Sequence, residues 1–445
     1  EKMLFYERMG ARPIINTNYD TPIVPNEDNA PYLLFDYIGN RETLKLKVAR
    51  QIVRAILERR YADIADDKYV NSVVNSFHDD PVKLRASRYV IEDDYTPFPQ
   101  SVPDKNKIAL ILNGNHIIHN IRKKAYLEAP QRMSSILKEI EPLNFIKKIE
   151  ASHFAEKHIK AVHDSDFVDF FKRVSLQTEP EKSIFPYVFP IRNQNRIPLP
   201  NEFTAGYYCM DVFTPINKHA YIAAKGAVDC ALTGANYVLE NDGLAYALVR
   251  PPGHHAERKH FGGYCYFNSS SVAAHYLSSH GKVAILDLDF HHGNGHQNIF
   301  YDRNDVLTVS IHRDPQYEYP FFSGFEEEKG EEKGKGCNIN YPLGEKITGK
   351  EYYQVLSDAL EKIRAFSPKY LIIPFGLDTS KGDPTASWSL TARDFEKNGL
   401  AIGKLKLPTL CVQEGGYNNR ILGKNAKFFF TGLWYGKYKK NSGKK

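Results

Sequence analysis

Between Lys107 and Gly415 the chain alternates short apolar runs of β character with amphipathic helical windows, and few folds other than a parallel sheet covered by helices on both faces accommodate that pattern. Candidate strands are Ile108–Leu112, Tyr246–Arg250, Val283–Phe290, Val306–His312, Tyr370–Gly376 and Thr409–Gly415; candidate helices are Met133–Ile140, His219–Leu239, Ser269–Ser279, Lys350–Phe366 and Thr391–Lys404. In such sheets ligands gather beyond the carboxyl ends of the strands, so the polar residues that follow each apolar run are the ones to examine. Residues 1–106 lack the alternation. They hold one amphipathic helix within Asn40–Arg60, with Leu46, Val48, Ile52, Val53, Ile56 and Leu57 near helical spacing, and close on an acidic, Pro-containing linker or strap, Ile91–Asp104. The expected organisation is an N-terminal extension over 1–106 with no assigned role, an α/β domain over 107–435 and a Lys-rich tail over 436–445.

Composition narrows the class. With 42% hydrophobic and 25% charged residues the chain is globular rather than disordered or fibrous. No run approaches the roughly 18 to 20 consecutive apolar residues of a membrane-spanning helix, and the opening EKMLFYERMG has neither the basic nor the apolar segment of a secretion signal. The formal charge of +6 is uneven: residues 1–106 sum to −2 and the last ten, GKYKKNSGKK, to +5, leaving +3 for the rest. That distribution lacks the clustered basic face of a nucleic-acid-binding surface, and neither a nucleic-acid nor a membrane partner is expected. Cys209, Cys230, Cys265, Cys337 and Cys411 form no C-x-x-C pair. Their spacing argues against a disulfide scaffold or a zinc finger and fits a reducing compartment, cytoplasmic or nucleocytoplasmic.

Four strand ends carry polar clusters: Arg-Pro-Pro-Gly-His254-His255; Asp287-Leu-Asp289-Phe-His291-His292-Gly-Asn294; Phe-Gly-Leu-Asp378, running on to Asp383; and Glu414-Gly-Gly-Tyr417-Asn. Residues two apart on a strand share a side, so Asp287, Asp289 and His291 are expected in one row. Two carboxylates and an imidazole at the end of a buried strand call for a divalent cation or a closed hydrogen-bond network. Asp378 brings, from a second strand end, the third ligand that a catalytic zinc uses while one position stays open. His254 and His255 can supply two imidazoles of different basicity, with Asp287 the expected partner of one ring and Asn294 of the other; the ring held by an amide is the less basic. Tyr417, after two glycines, can bring its hydroxyl to a developing oxyanion.

In combination and in this order, the four motifs resemble the histone deacetylase and acetylpolyamine amidohydrolase superfamily, over residues 107–435. The resemblance implies an arginase/deacetylase-like α/β fold, with a central, mostly parallel sheet flanked by helices on both faces, and a zinc-dependent amidohydrolase that releases acetate. It implies Asp289, His291 and Asp378 as ligands of Zn2+, a set that also accepts Fe(II) or Co(II). It implies His254, His255 and Tyr417 as catalytic residues supported by Asp287 and Asn294. Gly263, Tyr264, Tyr319, Phe321 and Phe322 would surround a tunnel for the acylated arm, and Arg132 would stand near an acetate channel. A structural K+ would be held by Asp287, the carbonyls of Asp289 and His291, and Ser310. Asn294 and the Glu414–Asn418 run look like the class II enzymes, where class I carries Asp at the first of these positions; the segment from His312 to Gly344 resembles bacterial acetylpolyamine amidohydrolases equally well.

Two substrates fit these motifs. The class II-like features and an extension able to touch a protein favour acetyl-lysine of protein tails, whereas an acetylated polyamine requires an acidic tunnel rim drawn from Asp211 or the run Glu326–Glu332. An inactive acetyl-lysine-binding scaffold is the third reading, disfavoured by the presence of every ligand, both histidines and Tyr417. Each is compatible with an oligomer.

Overall fold

Strands covered on both faces carry apolar side chains at every position rather than at alternate ones, and the central runs of this chain do so. The computed structural model describes residues 6, 11–20, 33–36, 43–86, 102–121, 123, 126–193 and 195–439. Residues 91–101 of the expected strap and the tail after Lys439 lie outside the described residues. The chain divides into two units, Glu1–Phe98 and Pro99–Lys445.

In the first unit two helices, Leu46–Arg60 (α1) and Asp67–Asn75 (α2), pack together. Ala49, Val53 and Leu57 of α1 bury against Val70, Val73, Val74 and Phe77. Asp66 caps α2, its carboxylate accepting from Tyr69 N at 2.7 Å. The expected apolar stripe is therefore narrower than the sequence suggests: Val48 and Ile52 fall outside the i, i+4, i+8 face and stay 44% and 46% exposed.

The second unit is built on eight strands, Ile108–Leu112 (β1), Ile146–Ile149 (β2), Leu244–Leu248 (β3), Val283–Asp287 (β4), Val306–Arg313 (β5), Asn338–Leu343 (β6), Tyr370–Phe375 (β7) and Thr409–Gln413 (β8). They pair in parallel in the order β6-β5-β4-β7-β8-β3-β1-β2. The two strands that the sequence reading does not anticipate are the sheet's edges, where the apolar rule relaxes. β2 exposes Lys147 and Lys148, and β6 buries Asn338 and Asn340 instead of hydrocarbon. Two further boundaries differ. β3 begins two residues early, at Leu244, and β4 stops at Asp287, because Leu288 N turns to the Pro374 carbonyl and Phe290 N to Asp378. Asp289 and His291 accordingly sit on a loop, not in a strand row with Asp287.

The principal helices of this unit are Gln131–Ile140 (α3), Ser165–Gln177 (α4), Ala220–Asn241 (α5), Ser269–Ser278 (α6), Asn294–Phe300 (α7), Gly349–Phe366 (α8), Ala392–Gly403 (α9) and Leu422–Tyr438 (α10). α4, α5 and α6 cover one face of the sheet, with Val228, Ala231 and Ala274 packed in one apolar cluster with Ile111, Ala247 and Ile285. On the other face α10 stacks Phe429 on Phe375 and packs Phe430, tilted, against Tyr246, each pair 4.3 Å between ring centroids. α10 runs on into the segment read as a tail. Lys437 Nζ is held there by the carbonyls of Lys406 and Leu407, and Lys406 Nζ by those of Gly436 and Lys437. Among the described residues no helix is long and apolar enough to cross a membrane.

The strand order fixes where a site can form. From β4 the chain proceeds to β5 and β6 on one side; from β7 it proceeds to β8 on the other. The gap between β4 and β7 is therefore a topological switch point, where the loops at the carboxyl ends diverge and leave a crevice.

Candidate active site

The four polar clusters follow β3, β4, β7 and β8, which are neighbours in the sheet, so residues far apart in sequence arrive at one place. Asp289 and His291 come from the β4 loop and Asp378 from the β7 loop. His291 Nδ1 lies 3.2 Å from Asp289 Oδ1 and 3.3 Å from Asp378 Oδ2, and one ligand atom from each of the three falls within 4.8 Å of the others. Backbone N–H groups anchor both carboxylates: Gly415 N donates to Asp289 Oδ2 at 2.8 Å and His291 N to its Oδ1 at 3.0 Å, and Phe290 N donates to Asp378 Oδ1 at 2.9 Å. Asp378 Oδ2 is buried with no hydrogen-bond partner. Burial and the neighbouring Asp289 push the Asp378 carboxyl up to about 7. Burial pulls His291 down, but the two carboxylates more than reverse this, to about 10. A bound divalent cation would take the place of that proton, and the orphaned oxygen and convergent donors fit one.

Glycine makes this cluster possible. A Cβ on Gly415 would stand 2.5 Å from Asp378 Oδ2 and 2.6 Å from Asp289 Oδ2. No side chain can occupy that position without displacing both carboxylates.

The adjacent histidines have unlike surroundings. His254 Nδ1 meets Asp287 Oδ2 at 3.1 Å, and His255 Nδ1 meets Asn294 Oδ1 at 2.7 Å. Burial works against a charge on either ring. For His254 it is outweighed by Asp289 and Asp287, and the pKa rises to about 10; for His255 the positive His254 and His291 add to burial and drive it well below the ordinary range. Asp287 is thus turned away from the Asp289, His291, Asp378 cluster, with Oδ1 accepting from Asp289 N and Oδ2 also 3.4 Å from His296 Nε2. Ser310 pairs with Asp287 across β4 and β5, and its hydroxyl meets His312 Nδ1 at 2.8 Å.

Tyr417 is placed by two groups. Asp383 Oδ2 accepts from its backbone N–H at 2.7 Å, and the Arg132 guanidinium lies over its ring at 4.8 Å. Arg132 is buried and bonds the Gly416 and Glu414 carbonyls and Glu128. Glu128 also receives both arms of Arg250 at 2.7 Å, and the two guanidiniums, working against burial, hold its carboxyl down at about 2.

His254, His255, His291, Gly415 and Tyr417 line a cavity of about 320 Å3. Gly263, Tyr264, Tyr319 and Phe321 line it, as the resemblance implies, together with Phe213, Glu318 and Thr385. Phe213 packs edge to face with Tyr264 and Tyr319, ring centroids 5.5 and 5.9 Å apart. Phe322 does not line this cavity; it is 53% exposed and borders a second one. Neither Asp211 nor any residue of the run Glu326–Glu332, the acidic groups expected at the rim, lines this cavity. Asp211 is buried, accepting from Gly263 N at 2.6 Å and the Tyr319 hydroxyl at 3.2 Å, and Glu328 is bound by Gln297 and the Gly324 and Phe325 amides. Glu318 is the sole carboxylate among the described residues that line the cavity. It stands beside Tyr319 in the aromatic segment, but no spacing in the sequence separates it from its acidic neighbours.

A switch-point crevice holding two carboxylates and an imidazole, two unlike histidines and a tyrosine at the end of an aromatic-walled cavity defines a hydrolase of amide bonds of the deacetylase type. The histone deacetylase domain matches residues 126–433, and the chain belongs to that family. Among curated relatives, Acetylpolyamine amidohydrolase 2 of Pseudomonas aeruginosa is 36% identical over 71% of this chain and 96% of its own length, and the Mycoplana ramosa acetylpolyamine amidohydrolase 34% over 73% and 99%. The crystal structure of an acetylpolyamine aminohydrolase from Burkholderia pseudomallei superimposes with a TM-score of 0.70 at 33% identity, over 74% of this chain and 99% of that one.

Proposed function

We propose that this enzyme removes the acetyl group from N-acetylated polyamines, releasing acetate and a free amine. Acetyl-lysine of proteins, which the class II-like motifs put first, takes second place. The observation that carries the substrate is Glu318, a carboxylate at a cavity otherwise walled by Phe213, Tyr264, Tyr319 and Phe321. A polycation presents a thin methylene arm to such walls and an ammonium to such a carboxylate. The similarity to acetylpolyamine amidohydrolases, over 96% and 99% of their length and 71% and 73% of this chain, supports the same reading.

Asp289, His291 and Asp378 would hold a zinc ion, which supplies Lewis-acid polarisation of the amide carbonyl and acidifies water at neutral pH. The side chains around them do the rest. His255, held neutral, takes the proton of the attacking water through Nε2 and returns it to the departing amine. His254, held charged by Asp287 and Asp289, stabilises the negative charge that develops. The Tyr417 hydroxyl, its proton retained by burial, donates to the oxygen of the acetyl carbonyl. Asp287 and Ser310, paired across β4 and β5, are the side chains of the proposed K+ site.

Acetate release from acetylputrescine and acetylspermidine, measured beside an acetylated histone-tail peptide with wild type and Asp289→Ala, tests the proposal. The polyamines should be the better substrates and Asp289→Ala inactive on all three. Preference for the peptide would return the protein substrate to first place.

A further inference from the structure

Asn294 is held on more than one side. Its Oδ1 faces His255 Nδ1 at 2.7 Å, while its Nδ2 donates to the His255 carbonyl at 3.1 Å and to Glu257 Oε1 at 2.8 Å. An amide nitrogen has two hydrogens, and these two oxygens are its nearer and stronger acceptors, with Met210 Sδ farther off at 3.6 Å. Turned over, the amide would set its oxygen against a carbonyl and a carboxylate, so its orientation follows from the neighbours. Glu257 is fixed in turn. Its N–H donates to the His260 carbonyl at 2.8 Å, its own carbonyl receives the His163 ring at 2.8 Å, and Oε2 lies 3.6 Å from His260 Nδ1. With Asn294 Oδ1 as the acceptor, His255 carries its proton on Nδ1 and keeps a lone pair on Nε2.

We infer that Glu257 is a positioning residue for the reaction: its carboxylate locks the Asn294 amide, and through it the Nδ1–H tautomer that makes His255 a base. Glu257 does not line the catalytic cavity. It borders, with Asn294, a second one of about 570 Å3. Substrate and the positioning carboxylate therefore approach the His255–Asn294 pair from different sides. The kinetic part of this inference rests on the proposed deacetylase chemistry; the tautomer does not.

The test uses the metal-loaded enzyme. Glu257→Leu should lower kcat about tenfold while KM moves less than about twofold, as for loss of a group that orients a catalytic imidazole. Glu257→Gln, whose amide oxygen can accept from the same Nδ2, should recover kcat to within about threefold of wild type. In an Asn294→Asp background the sign reverses: two carboxylates then face each other, and adding Glu257→Gln should raise kcat rather than lower it. That double variant carries the test if Glu257→Leu does not fold. Nitrogen-15 spectra of the histidine rings, which need no turnover, should show His255 as Nδ1–H in wild type and as mixed tautomers in Glu257→Leu. An unchanged kcat in Glu257→Leu, a loss that falls on KM, effects of the same sign in both backgrounds, or one tautomer throughout would each overturn the inference. A wild type inactive on every acetylated amide but with ring spectra as stated would count against the substrate reading and for the tautomer lock.

Discussion

The rings of His254 and His255 stand 3.9 Å apart, and they differ in the group that each Nδ1 meets, a carboxylate for the first and an amide for the second. Two charged imidazoles at that separation repel strongly in a buried site, so the pair divides into one acid and one base.

Tyr417→Phe removes a single hydroxyl and leaves the ring against Arg132. Turnover should fall about a hundredfold or more with KM little changed, the usual cost of one lost oxyanion donor. A steady-state loss below about tenfold would take Tyr417 out of the mechanism.

Gly415→Ala should cost metal before it costs fold. The new methyl would crowd Asp378 Oδ2 and Asp289 Oδ2, both under 3 Å from it. Elemental analysis of the purified variant should show metal affinity weakened by at least about tenfold, the size of effect typical for groups that hold ligands in place. A fully loaded variant would contradict the assignment of these carboxylates.

Glu318→Gln tests whether that carboxylate recognises the ammonium of a polyamine substrate. KM for acetylspermidine should rise about three- to fivefold, the scale of a partly solvated ion pair, and KM for a neutral acetylated amine should stay the same. Equal changes for both would remove Glu318 from substrate recognition.

Stability should fall on acidification through the histidine range. His163 accepts from Asn268 N at 2.9 Å on one nitrogen and meets the Glu257 carbonyl at 2.8 Å with the other, an arrangement only the neutral ring satisfies. Burial depresses it to about 4 from 6.5, as it does His119. The unfolded chain binds these protons first, so stability present above pH 6.5 is lost as pH drops toward 4, on the order of 1–3 kcal/mol per ring. Denaturation midpoints across that window should decline in wild type, and His163→Gln should be less stable at neutral pH but flatter across it. An equally steep variant argues against His163 as the source.

Glu128→Ala leaves two buried guanidiniums, those of Arg132 and Arg250, without their shared carboxylate. The unfolding free energy should drop by about 3–5 kcal/mol, read by chemical denaturation, with Glu128→Gln less damaging. A change below about 1 kcal/mol would mean that the carbonyls around Arg250 suffice.

What the sequence made legible follows physical rules. Central strands advertise themselves because both faces are buried, and their ends mark the crevice, so Asp289, His291, Asp378, His254, His255 and Tyr417 could all be picked from one chain. Edge strands β2 and β6 carry lysines and asparagines and look like loops. The Glu128–Arg250 pair and the Asp383 contact to Tyr417 are tertiary, with partners 122 and 34 positions apart, and no local pattern announces them. Glu318 and Phe213 line the cavity because of how two loops meet, while Phe322, beside Phe321 in sequence, faces elsewhere. One residue along an irregular segment is enough to change sides.

Gly263 has a φ of +56°, and a Cβ there would come within 2.2 Å of the His255 ring and 3.0 Å of Tyr319. The next residue, Tyr264, also has a positive φ, of +67°. Any side chain at position 263 would therefore have to displace the His255 ring and Tyr319 together, so the backbone that carries the aromatic wall and the ring of the base fill one shared space.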